Sequence, residues 1–403
     1  MNILYVTNLW TGLYDILFNG VTHARGMPAF VRPLKALIDQ GHQVDLVLIH
    51  EEEFLPDFHI EVDWLHKEQI VGCQAWPSSR LQKLFCARRL YNLVNRVLQQ
   101  KTYDFVYGHG TSADAARKAA QKHGIPYGHR LYGTFFNDYI QKQGLLKAKW
   151  LHRNEYRVFR APKQFLLITN DGSKGDLACE KVNRGHNPYT LHFWLNGVDP
   201  MPAMSLEQLA QCRDALGAPD GPFLFYVARI DRWKGQHKAI EILHKLDEKG
   251  IALPLFIAGQ IKDSAYYQKL QEQIATYKLE DRVSFLGPIS REDINAMCKL
   301  ATASFSLYEM CNLGNVFHEM LSAGAVIVSL DDGSLDAFIT DQENGFLVHS
   351  LDEAALDIAG ILQDPARAAH IREKAIATSR ASMRTWEERV QDEVDLITQQ
   401  GRQ

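Results

Sequence analysis

Two segments about eighty residues apart carry side chains whose types and spacing suit a phosphorylated ligand. The first, Val227-Ala228-Arg229-Ile230-Asp231-Arg232-Trp233-Lys234-Gly235, follows the apolar run PFLFYV and precedes a helix-period segment. It sets Arg229 and Lys234 five residues apart, next to a glycine that lets backbone approach a ligand. A guanidinium offers a bidentate fork and an ammonium a point charge, a pair suited to a diphosphate. Taken alone, the segment reads equally well as a solvated basic loop. The second runs from Tyr308 and Glu309 through Cys311, Asn312, Leu313, Gly314 and Asn315 to Glu319, and then into Gly324 and the strand AVIVSL. Asn312-Leu313-Gly314-Asn315 is suited to open a helix, whose free N–H groups and dipole attract phosphate and sugar oxygens. Glu319 lies about one turn further on, where a carboxylate can grip two ribose hydroxyls; by itself it also reads as a surface charge. In the first half, His109 ends a strand-like run in GHGT, and Arg130 and Tyr132 sit in IPYGHRLYGT.

The elements that must position these groups follow from periodicity. Short apolar runs alternate with helical segments throughout: NILYVTNL, QVDLVLI, DFVYGHG, IPYGHRLYG and QFLLITND in the first half, then PFLFYVARI, PLFIAG, VSFLG, ASFSLY and AVIVSL. That alternation predicts βαβ units and parallel sheets covered on both faces. NGVDPMPAMS, with two prolines and a glycine, breaks the pattern near residue 200 and reads as a linker. The expected architecture is α/β with two Rossmann-like domains, 1–200 and 201–375, and a C-terminal helix, 376–403, crossing back to the first. The 403 residues, 46% hydrophobic and 23% charged, fit a globular enzyme. No apolar run approaches the ~20 residues of a membrane span. MNILYVTNLW lacks the features of a signal peptide and reads as a buried strand. Six scattered cysteines without metal-ligand spacing predict reduced thiols in a cytoplasm. Residues 1–200 hold 24 Lys/Arg against 18 Asp/Glu, and the remainder 20 against 30. The halves thus differ in sign, which argues against a general nucleic-acid binder.

Taken in order, the segments resemble the retaining sugar-nucleotide glycosyltransferases of family 4, which have the GT-B fold of two such domains facing a central cleft. The resemblance rests on Asn196-Gly197-Val198-Asp199, Arg229-Ile230-x3-Lys234-Gly235, PLFIAG ending at Gly259, VSFLG ending at Gly287, the Glu319 helix running into Gly324, and Trp386 in the tail. It implies that Arg229 and Lys234 bind the donor diphosphate, Glu319 the ribose, and Leu286 and Gly287 the base. It further implies a UDP- or GDP-sugar donor and an acceptor that is a glycan or lipid-linked, used in surface polysaccharide or glycoconjugate synthesis. No metal cofactor is implied, and no D-x-D motif occurs. Gly12, after the first strand, matches the family's flexible phosphate-facing loop by position.

Two departures stand out. Cys311 occupies the place of the first glutamate of E-x7-E, with Glu309 two residues earlier as a possible substitute. Tyr132 occupies the place of a donor-facing histidine; Arg130 reads equally as a source of catalytic charge or as half of a structural ion pair, and His109 as a second cleft candidate or a structural histidine. These leave open a GT-B-shaped epimerase or a nucleotide-sugar-binding protein without turnover. Two basic amphipathic stretches, Arg80–Lys101 and Lys147–Lys163, read as ordinary core-facing helices or as contacts with the inner membrane face.

Overall fold

A computed structural model describes residues 1–22, 28–52, 54–76 and 80–400; the side chains of Thr11, Pro28 and residues 80–84, Lys83 among them, lie outside the description. The chain forms two compact units, Met1–Gly197 with Trp386–Gln403, and Val198–Thr385.

In the first unit the described strands are β1 (Asn2–Asn8), β2 (Gln43–His50), β3 (Ile70–Ala75), β4 (Phe105–His109), β5 (Tyr127–Leu131), β6 (Phe165–Thr169) and β7 (Thr190–Trp194). They form one parallel sheet in the order β3-β2-β1-β4-β5-β6-β7. Its strands are apolar on both faces because helices cover both. Ile3 and Tyr5 pack with Leu13, Leu34 and Val394 on one side, while Leu4 and Val6 pack with Leu90 and Val94 on the other. The second unit contains β8 (Leu224–Val227), β9 (Leu255–Ala258), β10 (Val283–Gly287), β11 (Ala303–Ser306), β12 (Ile327–Leu330) and β13 (Phe346–Val348). Their order is β10-β9-β8-β11-β12-β13, again parallel. Each sheet therefore reverses its winding beside its first strand, between β1 and β4 and between β8 and β11. Open α/β sheets bind ligands at the carboxyl ends of strands at such points.

The return to the first unit begins at Trp386, ten residues later than the sequence suggests. Pro365–Ser382 is one helix that stays in the second unit, with Ile371 in its core and Arg372 donating to the carbonyls of Cys298, Ala301 and Gly324. The last helix, Trp386–Gln400, buries Trp386, Val394 and Ile397 in the first unit. It also inserts a carboxylate between two arginines. Glu393 lies 3.7 Å from Arg130 Nε and 3.1 Å from Arg389 Nη2, and accepts a 2.8 Å bond from the Tyr107 hydroxyl. Arg130 is fully buried and donates to Thr169 Oγ1 at 2.9 Å. Arg389 donates to the Leu195 carbonyl at 3.1 Å. This corrects the reading of Arg130 as a source of catalytic charge: its guanidinium is internal and bound to the last helix.

Removing one member of a buried ion-pair cluster leaves uncompensated charge, at a cost of about 3–5 kcal/mol. Glu393→Ala is expected to lower stability by that order in denaturant melts, whereas an exposed control, Glu387→Ala, changes it by less than about 0.5 kcal/mol.

Three buried histidines set the acid limit. Burial lowers the His318 pKa to about 4, and burial together with the Lys163 charge lowers that of His129 to about 3. His109 is likewise held well below the usual range, by burial and then by Arg130. In the unfolded chain these groups titrate near 6.5, so below that pH the unfolded state binds more protons and stability falls. Above it both states are neutral and pH has no effect through these groups. The melting temperature should drop between pH 6.5 and about 4, and His318→Leu should make the drop shallower; an unchanged slope would contradict the assignment.

Candidate functional site

In the second unit, backbone contacts fix two loops at the β8/β11 junction. Ala228 N donates to Ala258 O at 2.9 Å, and Gly259 N to Gly287 O at 2.8 Å, which aligns the ends of β8, β9 and β10. Gly259 has φ +147°, and a Cβ there would collide with the Ala228 carbonyl. Beyond β8, Arg232–Lys234 form a 3-10 turn that Gly235 ends with φ +72°, opening the helix Gln236–Glu248. A Cβ on Gly235 would strike the Leu307 carbonyl oxygen, so only glycine lets this turn lie against the backbone following β11. Further bonds join the loops: Glu309 N to Trp233 O at 2.9 Å and Lys238 Nζ to Leu307 O at 3.2 Å. The Gln236 amide donates to Arg229 O at 2.8 Å, and the Tyr226 hydroxyl to Lys234 O.

The two cations predicted to act together differ in setting. Arg229 is exposed, and its guanidinium has no ion-pair partner among the described residues. Lys234 is half-buried, its ammonium 3.6 Å from the ring centroids of both Trp233 and Tyr308. Cation–π attraction to both rings fixes the position of the charge. Burial pushes the Tyr308 hydroxyl pKa up, and Arg229 pulls it the other way, which places the guanidinium's field at the same ring. Glu309 turns to the opening of the next helix, 3.4 Å from Lys238 Nζ and 3.7 Å from His237 Nε2. That carboxylate is therefore already engaged by two basic groups.

The loop before the helix Asn315–Ala323 is held from inside. Asn312 is fully buried; its side-chain oxygen accepts from Tyr308 N at 3.0 Å and Ser306 Oγ at 3.1 Å, and its amide donates to Asp332 at 3.1 Å. Its backbone N–H is taken by Ser334 Oγ at 3.1 Å. Of the four residues read as helix-opening donors, Asn312 thus serves as an internal brace, and buried Leu313 as an apolar anchor. The helix starts after Gly314 with no side-chain cap, and a Cβ at Gly314 would meet nothing within 4 Å. Cys311 takes φ +61°, a left-handed conformation that costs a non-glycine residue about 1–2 kcal/mol. Its side chain is half-buried beside the brace. Glu319, one turn into the helix, is half-buried with Oε1 3.5 Å from Arg291 Nε. Leu286 and Gly287 lie at the end of β10, Gly287 with open space above its Cα.

In the first unit, His109 and Tyr132 meet at the ends of β4 and β5. His109 Nδ1 and the Tyr132 hydroxyl are 2.8 Å apart, and the imidazole stacks on Tyr5 at 4.2 Å. Arg130 lies 4.8 Å from the Tyr132 ring centroid, and Trp10 packs edge-on at 5.1 Å. His109 is fully buried, and its Nε2 has no hydrogen-bond partner among the described residues. It is neutral at pH 7, so it brings hydrogen-bonding capacity and no charge. Gly12 is not in a flexible loop: it is buried in the first turn of the helix Thr11–Phe18, two residues after β1.

Tyr308 and Trp233 enter the site in a role their segments did not suggest, as the rings that hold Lys234, and so do Asp332 and Ser334, which hold Asn312. An aromatic directly preceding a loop lysine was a usable signal for the former. For the latter, partners 20 and 22 residues away left none.

Residues 211–378 match the family model described as Glycosyl transferases group 1. The chain is 26% identical over 272 residues to the putative glycosyltransferase EpsD of Bacillus subtilis (strain 168), an alignment covering 66% of this chain and 68% of that one. Among solved structures it is similar to sucrose-phosphate synthase from Thermosynechococcus elongatus, with TM-score 0.72, 20% identity, and 99% and 98% of the two chains covered. It is also similar to HepE from Anabaena in complex with UDP-glucose, with TM-score 0.68, 18% identity, and 98% and 99% covered. The fold is thus GT-B, and the match to the glycosyl transferases group 1 model falls on the segment that holds the braced loops of the second unit.

Proposed function

We propose that the protein transfers a sugar from a nucleoside-diphosphate donor, UDP- or GDP-linked, to a glycan or lipid-linked hydroxyl, with retention of configuration and without a metal ion. The observation that carries this reading is the welding of the Arg229–Gly235 turn to the backbone after β11, which leads into a helix without a side-chain cap. Two cations and a helix N-terminus gathered there oppose the charge that grows on a departing diphosphate. Preorganised charge of this kind is often the largest catalytic contribution, with one group worth on the order of 10²–10³ in rate. Glu319 is assigned to the ribose and the end of β10 to the base. Glu309, already held by Lys238 and His237, is not offered as a nucleophile. The proposed displacement therefore has the acceptor hydroxyl attack on the face the diphosphate leaves, its proton passing to a phosphate oxygen. The HepE complex with UDP-glucose supports a UDP-sugar as the first donor to try.

By calorimetry, Arg229→Ala and Lys234→Ala should each weaken UDP binding by about ten- to a hundredfold, the worth of a charge-assisted hydrogen bond. Unchanged binding in both would remove the site assignment.

The same proposal places the enzyme at an anionic membrane face, on the cytoplasmic side. Among the described residues no helix is long and apolar enough to cross a membrane. The helix Leu145–Leu151, however, leaves Leu146 85% and Trp150 79% exposed, with Lys147, Lys149 and Arg153 exposed beside them. By contrast, the described part of Arg80–Gln100 buries Leu90, Val94, Val97 and Leu98 in the core and behaves as an ordinary surface helix, Phe85 apart. The protein should cosediment with phosphatidylglycerol vesicles and not with phosphatidylcholine vesicles, and Trp150→Ala should reduce the bound fraction. Equal sedimentation with both lipids would dismiss the membrane contact.

A further inference from the structure

The first unit contains a cavity of about 540 Å³ that none of the assignments above uses. Trp76, just past β3, and Thr111 and Ser112, just past β4, lie at its strand end. Three different helices wall it, and each contributes one cation: Arg88 from Arg80–Gln100, Lys118 from Asp114–Lys122 and Arg157 from Arg153–Arg160. None of the three has an ion-pair partner among the described residues. The one carboxylate among the described lining residues, Asp114, is buried and bound to Arg117 at 2.8 Å. Burial raises its pKa, but the Arg117 bond and charge outweigh that and keep it ionised and occupied. The cavity thus gathers three positive charges that no described carboxylate pairs with, and an anion bound among them would relieve their mutual repulsion.

The rest of the lining is not that of a bare phosphate site. Trp76 and Tyr91 present flat apolar faces, and Asn92 and Asn154 present amides that both donate and accept. That mixture matches a sugar, with its apolar ring faces and dense hydroxyls. Trp76 and Ser112 also line a second cavity, of about 380 Å³, at the ends of β1 and β2. Its walls include Trp10 and Tyr14, again aromatic, together with Glu51 and Glu52. Two adjoining cavities therefore share an aromatic wall and differ in sign, basic at one end and acidic at the other.

We infer that the basic cavity is a subsite for an acidic group on the acceptor glycan, a carboxylate, phosphate ester or sulfate. Uncharged sugar units occupy the neighbouring cavity, where Glu51 and Glu52 accept from hydroxyls and repel an acid. The opposed charges orient the chain, so that only one direction of threading brings the acidic group to Arg88, Lys118 and Arg157. This deepens the transferase reading above, on which the word acceptor rests; the binding itself does not depend on it.

The test is calorimetry on the full chain with three probes. They are a tetrasaccharide of alternating glucuronic acid and N-acetylglucosamine, the neutral chitotetraose, and inorganic phosphate. The acidic tetrasaccharide should bind at least tenfold more tightly than chitotetraose, with affinity falling as salt rises. It should also bind more tightly than phosphate alone, because the aromatic and amide groups add to the charge contacts. Arg88→Ala combined with Lys118→Ala should remove the acidic preference, tenfold or more, while UDP binding stays unchanged. Equal affinity for the acidic and neutral tetrasaccharides, or a preference that survives the double substitution, overturns the proposal. Phosphate binding as tightly as the acidic glycan overturns the acceptor assignment in favour of a free-anion site. If UDP fails to bind but the glycan preference is found, the donor reading fails and the subsite stands.

Discussion

The donor assignment depends on one close approach, that of Gly235 to the carbonyl of Leu307. The turn after β8 and the backbone after β11 belong to neighbouring strands, and side chains of ordinary size would hold them apart. With glycine at φ +72° the two backbones touch, and the groups they carry follow. Lys234 comes between Trp233 and Tyr308, Glu309 N reaches Trp233 O, and Lys238 bonds the same carbonyl that Gly235 faces. The same stretch of backbone, past Tyr308, leads into the helix Asn315–Ala323, which begins without a side-chain cap. The energetic sense of the arrangement is preorganisation: cations fixed before a ligand arrives need no reordering when charge develops on it.

The first unit uses buried charge differently. Arg130, Glu393 and Arg389 join three parts of that unit, the ends of β5 and β7 and the last helix, through buried ion pairs and one hydrogen bond. Such clusters are weak contributors to net stability compared with apolar packing, and costly once broken. Their effect here is positional. The cluster sets the last helix against the sheet while Trp386, Val394 and Ile397 supply the apolar contact. It also lies directly beneath the His109–Tyr132 pair, keeping the imidazole neutral through burial and the nearby guanidinium.

Local signals made the fold legible. Alternating apolar runs and helical segments, with a Pro- and Gly-containing break near 200, sufficed for two parallel-sheet units, since strand and helix periods are properties of adjacent residues. Arg229, Lys234 and Gly235 were legible for the same reason, being neighbours in one turn. What depended on distant partners was not. Asn312 looked like a donor offered to a ligand because Asp332 and Ser334, which occupy it, lie in another loop. Arg130 looked like a site cation because Glu393 arrives from the far end of the chain. The exposed Leu146 and Trp150 show the same limit: the basic amphipathic pattern was visible, but which apolar residues the core would leave uncovered was decided by packing.

On this reading one phosphate-binding locus, made by the two welded loops and the uncapped helix, receives the donor. Amide hydrogen exchange with and without saturating UDP tests it most directly, since it reports on backbone groups without altering any side chain. A donor bound there slows exchange in residues 229–235 and 314–317 and leaves the buried strands of both units unchanged. Protection absent from both segments in the presence of bound UDP, or confined to residues 1–197, would contradict it.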